Sequence, residues 1–463
     1  MNNNKKVITL ILVVAIIQFT LSLFSKNFIE YFPSFKNVNL VTDILEKEKI
    51  IQKKKLHKTI LPPILIGDSL VYNDFDAYLK KGTLIDFEAD STNPALKNFT
   101  DKLIRLANHK KVKIRIAWFG DSQIEGDLIT QDVRELLQNY FGQQKGVGYV
   151  PITCVSADFR NTAKVITTGA IFDSNFKKQG ANSNLFLSGY SVLSPDLTVF
   201  FKDNVAKSKS QITQKWLLYG KGDSISINRN EVTKKYNADK EFNRILIDSS
   251  TLNKINFQVS SKNTPLYGIS SEPETGIILD NFSFRGITGV ELKKLNNSML
   301  SEMNEKGYYD LVIMQYGVNL MFKPNDTNYD YYYRAMKPII KKLKTNFSKS
   351  EFLLVGASDR AFNYDGQWKT AVGIDSLIAI QAKLSYNNNI AFYNLYKSMG
   401  GYGTTVKWAD STLQLANKDY IHFNHRGARR VATMIFNALL NDFNKAVKKK
   451  QKNQVKPTVN KEV

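Results

Sequence analysis

Apolar residues recur along this chain in two rhythms, a dense run of strand length and a helical spacing, and the two alternate. Residues 112–119 form a strand-like run, and Ile129, Val133, Leu136 and Tyr140 after it mark the apolar face of a helix. After a long interruption the alternation resumes. Residues 277–284 and 310–315 read as strands, and Tyr332, Met336, Ile339 and Leu343 as a helical face with Pro338 inside it. Residues 352–355 are a strand, 374–384 a helix and 390–393 a final strand, before an amphipathic helix carrying Val431, Met434, Ile435, Ala438 and Leu439. Leu96, Phe99, Leu103 and Leu106 place one more helix over 94–108, leading into this core. Alternating strands and helices predict an α/β fold, a five-stranded parallel doubly wound sheet in three layers. In such a fold the active residues stand at the C-terminal ends of the strands.

The interruption has a different grain. Short alternating runs at 197–199, 225–227, 245–247 and 255–259 are punctuated by Pro, Gly, Asn and Asp. Many short strands separated by turn residues predict an inserted all-β sandwich. The expected order is a membrane segment over 1–25, a stalk and lead-in helix over 26–108 and the first part of the core over 109–152. The insert over 153–275, the second part of the core over 276–446 and a basic disordered tail over 447–463 follow. Trp216 and Tyr219 read as core residues of the insert rather than as platforms for sugars.

Residues 7–24 are an apolar run behind Lys5 and Lys6, close to the shortest length that spans a bilayer. The positive-inside tendency then leaves the rest of the chain outside the cytoplasm, in the periplasm or at the cell surface. A cleaved signal peptide is the competing reading, but residues 22–26 offer no small-x-small cleavage site. The formal charge of +22 on an exported chain suits anionic headgroups or an anionic wall polymer. No recognition motif for nucleic acid accompanies it. The single cysteine, Cys154, excludes an intramolecular disulfide and a zinc cluster and reads as a buried structural thiol. No metal or cofactor is expected.

Candidate chemistry sits where strands end. Gly120-Asp121-Ser122 closes the first core strand, so Ser122 at a tight strand-to-helix turn exposes its hydroxyl and sets its N–H at the positive end of a helix. Asp419 precedes His422 by three residues on a loop entering a helix, a spacing that lets the carboxylate hold one ring nitrogen while the other takes a proton. His425 lacks such an Asp and is expected in the first turn of that helix. Asn319, in Gly317-Val318-Asn319, follows the strand at 310–315 and can aim an amide N–H at an oxyanion. Gly289, in Gly286-Ile287-Thr288-Gly289, allows close backbone approach. Asp359 and Arg360 either line the cleft or form a loop ion pair. A second Gly67-Asp68-Ser69 follows Pro62 and Pro63, which interrupt any strand before it, so Ser69 reads as a turn or cap residue.

These four blocks, in this order, resemble the SGNH (GDSL-type) hydrolase superfamily. The resemblance implies a flavodoxin-like core, Ser122 as nucleophile, His422 as base and Asp419 as its orienting acid, with an oxyanion hole of Ser122 N–H, Gly289 N–H and the Asn319 side chain. Gln123 replaces the leucine of the name-giving motif, and Leu320 stands where many members carry Asp. The insert and the N-terminal segment narrow the resemblance to bacterial peptidoglycan or polysaccharide O-acetylesterases and the related O-acetyltransferases. It implies an esterase removing acetyl or other acyl groups from cell-envelope carbohydrate. The alternatives are a transferase working with a membrane acyl-carrier protein, such as a membrane-bound O-acyltransferase, and an idle glycan-binding scaffold. The implied partners are an acetylated envelope glycan and the membrane.

Overall fold

The structure, a computed structural model, describes residues 64–66, 69–71 and 75–455 other than 89, 143, 155, 156, 179–183 and 207–210. The expected membrane segment, most of the stalk and residues 456–463 lie outside the described residues. Among the described residues no helix is long and apolar enough to cross a membrane.

The first strands, β1 (Ile64–Ile66) and β2 (Ser69–Val71), pair antiparallel with Ile66 opposite Ser69. Ser69 of the second Gly-Asp-Ser copy thus opens a strand paired with β1. Residues from Phe75 on belong to the core rather than to a stalk, since Ile85 exchanges backbone hydrogen bonds with Phe392 at 2.9 and 2.7 Å. Helix α1 (Lys97–Ala107), strand β3 (Lys113–Gly120) and helix α2 (Thr130–Leu137) then open the core.

The insert follows, among the described residues, as nine strands: β4 (Gly148–Pro151), β5 (Ala163–Gly169), β6 (Phe172–Asn175), β7 (Tyr190–Asp203), β8 (Thr213–Tyr219), β9 (Ile225–Arg229), β10 (Val232–Tyr236), β11 (Asn243–Ser250) and β12 (Lys254–Pro273). Strand β12 is their spine. Its first half pairs with β7 and β9, its second with β8 and β4, and register shifts near Ser261 turn it between the two. Residues from both halves, among them Val199, Phe201, Leu217, Phe257 and Ile269, meet in one buried apolar cluster. The expected sandwich is thus a continuous sheet folded about one long strand. It begins at Gly148, earlier than the expected 153, because Tyr149 and Val150 pair with β12 instead of continuing the core. That short run, broken by Gly and Pro, gives no periodic signal of its own.

The chain returns through β13 (Gly276–Ser283), α3 (Asn297–Glu305), β14 (Leu311–Gln315), α4 (Asp330–Asn346) and β15 (Glu351–Val355). A small hairpin, β16 (Ala361–Tyr364) and β17 (Gln367–Thr370), precedes α5 (Ile374–Asn387), β18 (Ala391–Tyr393), α6 (Leu395–Met399), α7 (Thr404–Asp410) and α8 (His425–Val455). The core sheet runs β13-β3-β14-β15-β18, and every pairing in it is parallel. Ile114, Ile116 and Trp118 of β3 meet α1, α2 and α8 on one face. Ala117 and Phe119 join the cluster with α3, α4 and α5 on the other. With both faces covered, the strands read as unbroken apolar runs.

The described part of the basic tail differs from expectation. Residues 447–455 continue α8 instead of starting a separate tail. Val447 packs on the core, and Lys450 reaches Asp101 of α1 at 2.8 Å. Lys and Gln are good helix formers, so a helix anchored by its apolar face extends through them.

The expected helix straight after Ser122 is broken. A short 3-10 turn spans Ser122–Asp127, then Gly126, Asp127 and Ile129 all have positive φ before α2 starts. A buried carboxylate sets this kink. Asp127 accepts from Arg134 Nη1 and Nη2 at 2.7 and 2.8 Å, from Thr130 Oγ1 at 2.6 Å and from Thr162 Oγ1 at 2.5 Å, with Arg160 at 3.3 Å. Burial alone would raise its pKa; Arg134 and Arg160 more than reverse that and hold it well below the usual carboxylate range.

Removing one partner from a buried ion cluster strands the others. Asp127→Ala is expected to cost about 3–5 kcal/mol of unfolding free energy in urea titration. Glu88→Ala, which breaks the exposed pair with Lys97, is expected to cost less than about 1 kcal/mol.

Candidate active site

The C-terminal edge of the core sheet brings the sequence-distant candidates together. Ser122 follows β3 directly and is half-buried, and Asp121 before it caps the turn by accepting from Gln123 N–H at 3.0 Å. The His422 ring faces Ser122 from the other end of the chain. Its Nδ1 lies 2.7 Å from Asp419 Oδ2, and its Nε2 lies 2.8 Å from Ser122 Oγ. With Nδ1–H given to the carboxylate, Nε2 is left as the acceptor for the serine hydroxyl. Asp419 Oδ1 also accepts from the Ile421 and His422 N–H groups, both at 3.0 Å. Burial would raise Asp419; the bonds from His422 and Ile421 outweigh it and hold the carboxyl below its ordinary value.

Asn319 lines the same cleft, with its amide engaged on both sides. Nδ2 donates to Ile287 O at 2.9 Å and to Asp121 Oδ2 at 3.2 Å. The glycine loop is thereby stitched to the turn that carries Ser122. Gly289 (φ +93°) heads a short 3-10 helix, and a Cβ there would meet the Tyr316 ring at 2.8 Å, so no side chain fits. Gly286, rather than Gly289, lines the cleft wall.

Other residues acquire a place that the sequence did not assign. Gln123 Nε2 donates to Ile421 O at 2.7 Å, tying the Ser122 turn directly to the His422 loop. A leucine at the motif's usual position has no such donor. Tyr420, between Asp419 and His422, sits at φ +57°, a conformation rare for a bulky side chain. Three contacts hold it there. Its ring stacks on Trp368 with centroids 4.2 Å apart, its hydroxyl donates to Asp410 at 2.9 Å and its carbonyl accepts from Ala361 N–H at 3.1 Å. Trp368 belongs to the β16–β17 hairpin, so that hairpin buttresses the loop. Nothing near Trp368 in sequence signals this; its partner lies some fifty residues on.

The cleft holds about 810 Å³, and the insert supplies part of its wall through Phe159 and Lys177. Phe159 is 67% exposed and Phe322, after β14, 60% exposed, so two aromatic rings face solvent at the cleft. Arg285 forks onto Glu125 at 2.7–3.0 Å. Arg360 lines the cleft, donating to Val318 O at 2.7 Å, whereas Asp359 is buried and accepts from Thr405 N–H at 2.7 Å; the two do not form the loop ion pair. His425 is the first residue of α8 and reaches the cleft wall. Tyr219 is buried in the insert and Trp216 packs under Arg244, away from the cleft. Cys154 is half-buried against the aromatic core. Among the described residues no group of His, Cys, Asp and Glu is placed to hold a metal.

Two buried carboxyls give the site a pH dependence of stability. Burial pushes Asp121 up to about 7 against the pull of Gln123 N–H and His422, and pushes Asp359 up to about 6 against the N–H of Thr405. The folded chain therefore keeps protons that the unfolded chain releases above about pH 4. On their account stability is greatest below that pH and declines as the pH rises to about 7. Asp121→Asn is expected to flatten the fall in Tm between about pH 5 and pH 8 by roughly a few degrees. For the buttress, Trp368→Ala and Gln123→Leu are each expected to slow covalent labelling of Ser122 by a serine-directed phosphonate by about tenfold to a hundredfold. Trp368→Phe, which keeps a ring under Tyr420, should recover most of that rate.

No protein-family model matches the sequence, and the search of curated proteins returned no match. Solved structures do match. A peptidoglycan O-acetylesterase superposes at a TM-score of 0.63 with 20% identity, over 78% of this chain and 99% of that one. An acetyl xylan esterase (TM-score 0.29, 21% identity, 35% of this chain and 81% of that one) also aligns, but too loosely to carry weight. The same holds for an acetyl xylan esterase from Geobacillus stearothermophilus (0.26, 16%, 37% and 74%). The chain thus has the fold of a peptidoglycan O-acetylesterase, the doubly wound core that its motifs resemble.

Proposed function

We propose that this chain is a serine esterase that removes acetyl groups from O-acetylated carbohydrate of the cell envelope. The observation that carries the reading is the continuous relay from Ser122 Oγ through the His422 ring to Asp419, in an open cleft. The fold shared with a peptidoglycan O-acetylesterase supports it.

In this reading Ser122 Oγ attacks the ester carbonyl as His422 Nε2 takes its proton. Asp419 keeps Nδ1 protonated and stabilises the imidazolium that results. The carbon–oxygen bond to the sugar breaks, and His422 returns the proton to the departing sugar oxygen. Water then gives its proton to Nε2 and attacks the acetyl-serine, releasing acetate and restoring the hydroxyl. Negative charge on the carbonyl oxygen is met by the Ser122 N–H and by the Asn319 amide, with Gly286 of the glycine loop on the cleft wall beside them. Asn319 has two acceptors at rest. The longer bond, to Asp121, is the one an oxyanion would take over, while the bond to Ile287 O keeps the amide aimed.

The location belongs to the same proposal: the domain works outside the cytoplasm, held to the membrane by residues 7–24, with Lys5 and Lys6 on the inner side.

Ser122→Ala and His422→Ala are each expected to lower kcat for 4-nitrophenyl acetate and for acetate release from O-acetylated peptidoglycan by roughly three orders of magnitude or more. Ser69→Ala should leave both rates intact. Full activity in Ser122→Ala would refute the reading.

A further inference from the structure

A second concavity adjoins the cleft. It holds about 520 Å³, and His425 stands on the wall of both. One side of it is core: Gln131 and Asp132 of α2 and Arg426 in the first turn of α8. The other side is insert: Thr162, Asn204 and Val205. The residues around it are polar in kind, with Val205 as the one aliphatic residue. Carboxylate, amide and guanidinium groups side by side are the hydrogen-bonding partners of a sugar's hydroxyls, each of which both donates and accepts.

We propose that this groove is a second subsite, holding sugar residues of the same glycan chain that flank the acetylated one. The strand would cross the cleft at Ser122 and pass His425 into the space between α2, α8 and the insert. This rests on the esterase reading above and gives the insert a role in it: the insert forms the far wall of the groove, as it supplies Phe159 and Lys177 to the cleft. Contacts so far from the ester change the rate through binding of the polymer, not through the chemistry at Ser122.

The test compares acetate release from O-acetylated peptidoglycan fragments of disaccharide and hexasaccharide length, with 4-nitrophenyl acetate as the small ester. For the unaltered protein, kcat/KM is expected to rise by roughly tenfold or more from disaccharide to hexasaccharide, through KM. The exposed Arg426 and the half-buried Gln131 can be shortened without disturbing the core. Arg426→Ala with Gln131→Ala should erase most of that length dependence, with a larger loss on the hexasaccharide than on the disaccharide. A kcat/KM independent of length in the unaltered protein, or an equal loss on both lengths in the variant, would overturn the subsite. Turnover of the small ester with no acetate released from either fragment would instead overturn the glycan reading, and the subsite with it.

Discussion

Asp127 is the constraint on which the arrangement around Ser122 depends. A carboxylate with no access to water needs compensation by opposite charge and by hydrogen-bond donors. Asp127 collects them from two sides: Thr130 and Arg134 from α2, and Arg160 and Thr162 from the start of the insert. Arg134 in turn donates to Leu279 O of β13 at 2.9–3.0 Å. Satisfying one charge therefore fixes the chain after the nucleophile turn, the helix behind it, the neighbouring strand and the entry to the insert. The positive φ angles at Gly126, Asp127 and Ile129 are strain that such a cluster can hold in place.

A second buried network fastens the other side of the insert. Glu272 near the end of β12 is paired with Arg115 of β3, with Arg244 of β11 at 3.0 Å and with Lys113 at 3.2 Å. Burial would raise it, yet these cations bring it down to about 2. Asp280 of β13 completes the set, receiving Arg115 at 2.7 Å, Tyr309 Oη at 3.0 Å and the Tyr149 N–H at 2.8 Å. Buried charges specify geometry, because any displacement leaves one of them without a partner. Two such clusters hold the insert to the core, so Phe159 and Lys177 reach the cleft from a fixed wall.

The relay itself is held by less conspicuous means. The His422 loop includes a tyrosine in a left-handed conformation, and that conformation persists because Trp368, Asp410 and Ala361 each hold one part of Tyr420. Gln123 then joins the loop to the turn carrying Ser122. A hydrogen-bonded triad needs its members positioned within fractions of an ångström, and here rigid neighbours do so from outside the triad.

Much of this could be read in the chain alone. Parallel strands buried on both faces leave continuous apolar runs, and helices leave their spacing, so the five core strands and their helices were visible. Ser122, Asp419, His422 and Asn319 were visible as candidates because short motifs at strand ends and loop–helix junctions keep a local signature. What the sequence could not show depends on pairs far apart. Leu96, at the start of α1, has no capping side chain, and the free N–H groups there are met by Asp442 of α8 and Glu351 of β15. The Asp127 kink required Arg160, which no local rule connects to it, and an unperturbed helix was the natural expectation. β4 was hidden because four residues pairing with a distant strand leave no period. Secondary structure and motif chemistry arise from neighbours in sequence, whereas burial of charge, capping from afar and the joining of Ser122 to His422 are settled only when the chain has closed on itself.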